Sequence, residues 1–154
     1  MSADESSTDT AWVSLGSNVG HRGRNLARLR DALAAGGVSI IAASPEILTL
    51  PVGVTAQGDF HNQVVRLQSP APWTPRRWLE HCVGAEDTAG RRPTYHWGPR
   101  IADADLLLLG ERGEIEVQEP DLTVPHPELS HRPFEQQLLD AAGFRPYLEG
   151  SEPS

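Results

Sequence analysis

Two aspartates in an apolar segment, Asp103 and Asp105, have the spacing most suited to chemistry. They flank Ala104 in the middle of a predicted strand over residues 101–109, which ends in four consecutive leucines. Because alternate residues of a β-strand share a face, both carboxylates should project from one side, about 6–7 Å apart along the backbone. Two carboxylates this close in an apolar setting need a compensating cation. The pattern predicts a two-Mg²⁺ site for phosphoryl chemistry. The alternative is a half-exposed strand with both side chains in solvent.

Basic residues cluster just before the aspartates. Arg91, Arg92 and Arg100 lie with His96 in a stretch that glycines and prolines interrupt. All 13 basic residues of the chain are arginines, which excludes Schiff-base chemistry and a P-loop lysine. The planar guanidinium binds phosphate oxygens with paired hydrogen bonds. This loop could therefore fold over a polyphosphate and neutralise its charge. The alternative is a solvated surface loop.

Three shorter motifs carry weaker signals. His126 lies between two prolines, so its backbone is stiff and its ring suits a phosphate donor or a ligand. Gly16-Ser17-Asn18 follows a predicted strand as a turn that could offer backbone N–H groups. Phe60 and Asn62 could stack on a flat heterocycle and hydrogen-bond both donors and acceptors at its edge. Each also has a plain structural explanation as an ordinary turn or strand start.

Strands and helices alternate along the chain. The patterns predict strands at residues 12–15, 38–43, 64–67 and 101–109, helices at 25–35, after Thr74 and at 133–142, and a hairpin arm at 112–118. The order βαββαβ predicts an α+β, ferredoxin-like sandwich, in which helices back an antiparallel sheet and long loops carry the function. We expect one domain over residues 11–149, a disordered tail at 1–10 and a flexible end at 150–154.

The composition limits the classes of function. A net charge of −8 argues against broad nucleic-acid binding. No apolar run reaches the about 20 residues that a membrane helix needs. The first ten residues lack the basic start and apolar core of a signal peptide, and the lone cysteine, Cys82, excludes an internal disulfide. We therefore expect a cytoplasmic protein whose partners are small molecules, with neither nucleic acid nor membrane among them. Its oligomeric state has no signature in the sequence.

Taken in order, these motifs resemble the 6-hydroxymethyl-7,8-dihydropterin pyrophosphokinase family of the folate pathway. The resemblance covers about residues 12–146. Its most specific part is the W-G-P-R-x-x-D-x-D segment that ends at Asp105, and the V-P-H-P and R-x-F segments also fall at the family's spacing. The resemblance implies the ferredoxin-like fold and diphosphate transfer from ATP to a hydroxymethylpterin, with AMP as the second product.

The resemblance also implies roles for residues on the phosphate side. Asp103 and Asp105 would bind two Mg²⁺ ions that bridge the phosphates of ATP. Four residues would contact the triphosphate: Arg92, Arg100, His126 and Arg132. Three more would belong to the catalytic loop or the nucleotide site: Arg91, Trp97 and Glu86.

On the ring side, the resemblance places the heterocycle between Phe60 and Phe134. Asn62 would read the ring's edge. The backbone that runs from Thr49 through Val52 to Gly53 would line the pocket.

The chain departs from the family pattern mainly on the ring side. Residues 47–53 read I-L-T-L-P-V-G where the family usually reads Y-R-T-P-P-L-G, and Glu135-Gln136-Gln137 follows Phe134 where the family is apolar. The catalytic loop is one residue short between Arg91 and Arg92. Two alternatives therefore stay open: a related pyrophosphokinase of specialised metabolism that acts on a different hydroxymethyl heteroaromatic ring, and an inactive nucleotide-binding relative.

Overall fold

The computed structural model describes residues 6–18, 20–49, 60–90 and 102–146. A 3-10 helix, Leu129–His131, precedes the last helix. The strands and the other helices follow one another as β1 Thr8–Ser17, α1 Arg22–Leu33, β2 Ser39–Ala43, β3 Ile47–Thr49, β4 Phe60–Trp73, α2 Pro75–Thr88, β5 Asp103–Leu109, β6 Val117–Glu119, β7 Leu122–Val124 and α3 Pro133–Ala141.

The main sheet is antiparallel and has the strand order β2-β4-β1-β5, with β3 also paired to β4. This is the ferredoxin-like arrangement, in which the second strand is divided into β2 and β3. Pro45 divides it because proline has no N–H for the ladder. Ser44 keeps the chain beside β4, since its backbone N–H donates to Val64 O and its Oγ accepts from Val64 N. The predicted fold class is confirmed.

The two faces of the sheet are covered differently. Helices α1 and α2 pack side by side on one face, where their buried side chains meet those of the strands: Val13, Leu15, Leu67, Leu29 and Trp78. Helix α3 covers part of the opposite face, where another cluster is buried: Trp12, Val64, Leu107, Leu138 and Leu139. We call this second side the α3 face. Successive strand residues point to opposite faces, so membership of a cluster fixes where each strand residue points.

Helix starts follow their caps. Thr74 caps α2 as predicted, since its side chain accepts from Arg77 N and Pro75 occupies the first turn. Helix α1 begins at Arg22, earlier than predicted, because His21 Nδ1 accepts from Arg24 N and caps it. None of the helices in the described part of the chain is long and apolar enough to cross a membrane.

Several predicted boundaries were wrong. Strand β1 begins at Thr8, inside the predicted tail, because Thr8 and Thr10 pair with the far end of β4. Strand β4 has 14 residues and extends well beyond the predicted segment at both ends. The predicted hairpin arm at 112–118 only partly overlaps the observed hairpin of β6 and β7, which lies further along the chain.

The β6–β7 hairpin is tied to α2 by one arginine. Arg76 lies 2.6 Å from carboxylate oxygens of both Glu119 and Asp121. Hydrogen bonding to this guanidinium holds the pKa of the Asp121 carboxyl below its usual range. These contacts of Arg76 are a structural tie at the opposite end of α2 from the predicted site.

Candidate active site

The two predicted metal ligands lie on the α3 face at the start of β5. Asp103 opens the strand, opposite Gly16 of β1, and Asp105 lies opposite Ser14. Both share a face with Leu107, whose side chain belongs to the α3-face cluster. Asp103 is 7% exposed and Asp105 is half-buried. The prediction of one shared face is borne out by this register, whereas the prediction of a mid-strand position was wrong, because the strand begins at Asp103.

A buried carboxylate on α2 fixes the backbone between the aspartates. Glu86 is 6% exposed, and its Oε2 accepts from the backbone N–H of Ala104 at 2.8 Å. One helical turn earlier, Cys82 lies in the core, where burial raises the pKa of its thiol and the Glu86 and Asp105 carboxylates raise it further. The thiol is therefore neutral and unsuited to nucleophilic chemistry. The contact of Glu86 with Ala104 was not predicted, because no local pattern reveals a helix carboxylate that satisfies a strand N–H.

We expect Glu86→Ala to lower the free energy of unfolding by about 2–3 kcal/mol, because the Ala104 N–H loses a charged acceptor in a buried setting. Urea unfolding would measure this loss. Glu80→Ala is the matched control, since Glu80 lies on the same helix and is exposed. Equal unfolding free energies for the two variants would contradict the structural role given to Glu86.

Gly16 joins the two halves of the site. It lies opposite Asp103 of β5 on one side and opposite Asn62 of β4 on the other. Neighbouring strands are about 4.8 Å apart, so Asn62 and Asp103 flank β1 at a separation of about 10 Å. A Cβ on Gly16 would lie 3.3 Å from Asn62 Oδ1 and 3.9 Å from Phe60 Cδ1. Because glycine has no side chain, the surface of β1 between the predicted ring and phosphate sides is left open. Because Gly16 lies within β1, the turn predicted there was wrong.

The amide of Asn62 has one orientation that its neighbours allow. Its Nδ2 donates to Thr49 Oγ1, and it lies 3.4 Å from the carbonyl oxygen of Phe60. Because a carbonyl can only accept, the amide nitrogen and not the oxygen must face Phe60. The Oδ1 atom is then the group offered above Gly16. The sequence predicted that Asn62 would offer both a donor and an acceptor to the ring's edge. In the structure it offers the ring an acceptor alone, because its amide N–H groups face Thr49 and Phe60.

His126 lies beside β5 through its backbone, since its N–H donates to Leu107 O at 2.8 Å. Its ring is half-buried, and Nδ1 accepts from the backbone N–H of Glu128 at 3.1 Å. A backbone N–H can only donate, so Nδ1 carries no proton and the neutral ring holds its proton on Nε2. His126 therefore presents an N–H donor, which suits a phosphate oxygen.

The start of α3 carries the last two predicted residues in the described part of the chain. Arg132 Nη1 lies 3.4 Å from Oε1 of Glu135, and Glu135 is 1% exposed. The buried carboxylate thus orients the guanidinium. Phe134 is half-buried and packs against the α3-face cluster. Glu135, which interrupts an expected apolar run, is accommodated because Arg132 neutralises it.

Six predicted site residues lie outside the described residues: Val52, Gly53, Arg91, Arg92, Trp97 and Arg100. Their roles stay predictions.

The donor set at β5 suits magnesium. Asp103 and Asp105 offer oxygen atoms only, which is the ligand type that Mg²⁺ prefers. In the described ranges no group of three or more His, Cys, Asp or Glu side chains could hold a metal ion by itself. A pair of carboxylates fits Mg²⁺, because proteins commonly bind it through one or two carboxylates while phosphates and waters complete the shell.

A protein-family model described as 7,8-dihydro-6-hydroxymethylpterin-pyrophosphokinase (HPPK) matches residues 12–142. The chain belongs to this family. Like other HPPK members, it is an ATP-dependent diphosphotransferase. The resemblance found in the sequence is thereby confirmed over nearly the whole described fold.

Curated relatives agree with the HPPK assignment. The chain is 34% identical over 125 residues to the 2-amino-4-hydroxy-6-hydroxymethyldihydropteridine pyrophosphokinase of Methylorubrum extorquens, covering 80% of this chain and 76% of the relative. It is 36% identical over 128 residues to the protein of the same description from Bacillus subtilis, covering 80% and 72%. A folate synthesis bifunctional protein of Pisum sativum is 33% identical over 132 residues, covering 85% of this chain and 25% of that longer protein.

Proposed function

We propose that this HPPK transfers the β,γ-diphosphate of ATP to the hydroxymethyl group of 6-hydroxymethyl-7,8-dihydropterin, a step of folate biosynthesis. The observation that carries the proposal is the position of Gly16 between Asn62 and Asp103. A ring held above Asn62 directs its substituent across one strand toward the carboxylates. The names of the bacterial relatives specify the same dihydropteridine substrate. No observation gives comparable support to the two alternatives, a pyrophosphokinase that acts on a different hydroxymethyl ring and an inactive nucleotide-binding relative.

The phosphate side of the proposed site combines acidic and basic groups. Asp103 and Asp105 would hold two Mg²⁺ ions, which supply charge neutralisation at the phosphate oxygens of ATP. His126 Nε2–H and the Arg132 guanidinium are the described donors for the triphosphate. Glu86 positions the backbone between the aspartates, and we assign it to the nucleotide side as well. From outside the described residues, the loop would add four further groups: Arg91, Arg92, Trp97 and Arg100.

The ring side of the proposed site combines stacking with one fixed acceptor. Phe60 and Phe134 would hold the pterin between them. Asn62 Oδ1 would accept from a donor on the ring's edge, with Thr49 holding the amide in place. The backbone at Val52 and Gly53 would complete the wall.

The reaction we propose is a single in-line displacement. The hydroxyl oxygen of the substrate attacks the β-phosphorus of ATP, and the bond from that phosphorus to the bridging oxygen of AMP breaks. AMP leaves with the bridging oxygen, and the hydroxyl proton passes to solvent. Positioning and charge neutralisation supply most of the acceleration in such transfers, so no covalent phospho-enzyme is required.

A substrate panel tests the proposed function. MgATP and the protein would be mixed separately with hydroxymethyl derivatives of dihydropterin, pyrimidine and pyridine, and AMP would be measured. We expect AMP to form only with the dihydropterin derivative. AMP with a different ring only would favour the specialised-metabolism alternative, and no AMP with any ring would favour the inactive relative.

We propose the cytoplasm as the compartment, in line with a single cysteine.

A further inference from the structure

Strand β3 forms a wall of the proposed ring site but has few anchors of its own. It is three residues long, and its residues pair with Phe60, His61 and Asn62 of β4. Among the described strands β4 is its one neighbour. Leu48 is 57% exposed, whereas Ile47 packs against the α3-face cluster. A strand this short, held along one edge, is marginal without further contacts.

An acidic residue directly before β3 provides such contacts. Glu46 Oε1 lies 3.0 Å from Nε2 of His61, and its Oε2 lies 3.4 Å from Nη1 of Arg30 on α1. The same Arg30 Nη1 donates to Gln63 Oε1 at 2.8 Å. We call these four residues, Arg30, Glu46, His61 and Gln63, the Glu46 clamp. It joins a helix, the start of β3 and the first residues of β4.

The clamp lies on the face of the sheet opposite the proposed ring. His61 and Gln63 alternate with Asn62 and therefore point away from the α3 face. Gln63 Nε2 also donates to Ser44 O at 2.8 Å, so the link between β2 and β3 is held at two points. Glu46 consequently reaches the ring site only through the backbone of β3 and β4.

We propose that Glu46 is a positioning residue for the ring site. By holding the start of β3 against β4 and α1, it keeps Thr49 where its hydroxyl accepts from Asn62 and fixes the amide orientation. This inference rests on the proposed function, in which Asn62 Oδ1 reads the ring's edge. Losing Glu46 should therefore loosen the Thr49–Asn62 contact and weaken ring binding, while the phosphate side on β5 is unaffected.

Steady-state kinetics on Glu46→Ala would test the proposal. We expect the KM for the pterin to rise about fivefold, the effect of losing about 1 kcal/mol from a partly exposed ion-pair network. The KM for MgATP should not change. Glu46→Gln keeps an acceptor for Arg30 and should restore part of the loss. Asp121→Ala is the matched control, because it removes a carboxylate paired with an arginine on the β6–β7 hairpin, and neither KM should change.

A second background separates positioning from general destabilisation. Thr49→Val removes the hydroxyl that fixes Asn62 and nearly preserves the side chain's shape. If Glu46 acts through Thr49, then Glu46→Ala should raise the pterin KM by less than about twofold in this background, because the two changes break one pathway. Three results would overturn the proposed role of Glu46. The first is a double variant in which the effects of Glu46→Ala and Thr49→Val on the pterin KM are fully additive. The others are a Glu46→Ala variant whose two KM values rise equally, or one whose pterin KM is unchanged. A wild-type protein that forms no AMP would overturn the proposed function and the clamp with it.

Discussion

Asp103→Ala is expected to lower kcat by about a thousandfold or more, because it removes a proposed Mg²⁺ ligand, and such a metal would contribute several kcal/mol to stabilising the transition state. The same loss is expected for Asp105→Ala. Asp103→Asn keeps the shape of the side chain and removes its charge, so it should be nearly as inactive. Folding should survive, since Asp103 and Asp105 are alternate residues on one face of β5 and removing one carboxylate from such a pair lowers the repulsion between them.

Three measurements check this expectation together. AMP formation at saturating MgATP and pterin gives kcat, a titration with Mg²⁺ gives the metal dependence, and urea unfolding reports the fold. Asp121→Ala serves as a control for loss of a carboxylate elsewhere, and its kcat should equal that of the wild type. Near-normal turnover by Asp103→Ala with Mg²⁺ would contradict the metal site. A large fall in its unfolding free energy would instead give Asp103 a structural role.

Phe134→Ala is expected to weaken pterin binding by about 1–3 kcal/mol, which is the usual scale for a lost base-stacking contact and corresponds to about 5- to 150-fold in Kd. Affinity for an MgATP analogue should be nearly unchanged, because the proposed metal ligands for the triphosphate lie on β5 and not at Phe134. Phe134 is half-buried and also packs against the α3-face cluster, so the alanine variant should lose some stability as well.

Phe134→Leu separates the two roles of this side chain. Leucine fills much of the same apolar space and has no aromatic face, so it should retain most of the unfolding free energy and still bind the pterin weakly. Calorimetric titration with each ligand would measure both affinities. Equal losses for the pterin and the nucleotide analogue would mean that Phe134 is a core residue and that the ring lies elsewhere.

Local patterns in the sequence correctly predicted the fold class and the shared face of Asp103 and Asp105 on β5. The leucines of α1 recur at helical spacing and are buried as expected. Thr74 followed by proline predicted the start of α2 correctly. Asp103 and Asp105 share a face because alternation along a strand is a local property. Their exposure depends on the segments that pack around β5 in the tertiary structure, and the alternation of residues along one strand does not reveal it.

Contacts between distant segments account for what the sequence did not predict. Strand β3 is too short to show an alternation of apolar and polar residues in the sequence. It forms as a strand because it pairs with β4. The contact of Glu86 with Ala104 joins residues 18 positions apart. In the Glu46 clamp, the bond from Arg30 to Gln63 spans 33 positions. Each of these residues has an unremarkable local setting, so only the tertiary structure reveals its role.

The fate of the two terminal phosphorus atoms of ATP tests diphosphate transfer most directly. Phosphorus NMR of a completed reaction with hydroxymethyldihydropterin would follow them. We expect equal amounts of AMP and a pterin that carries a diphosphate ester, with neither free pyrophosphate nor ADP at comparable levels. A pterin monophosphate together with ADP would contradict diphosphate transfer and the in-line attack at the β-phosphorus.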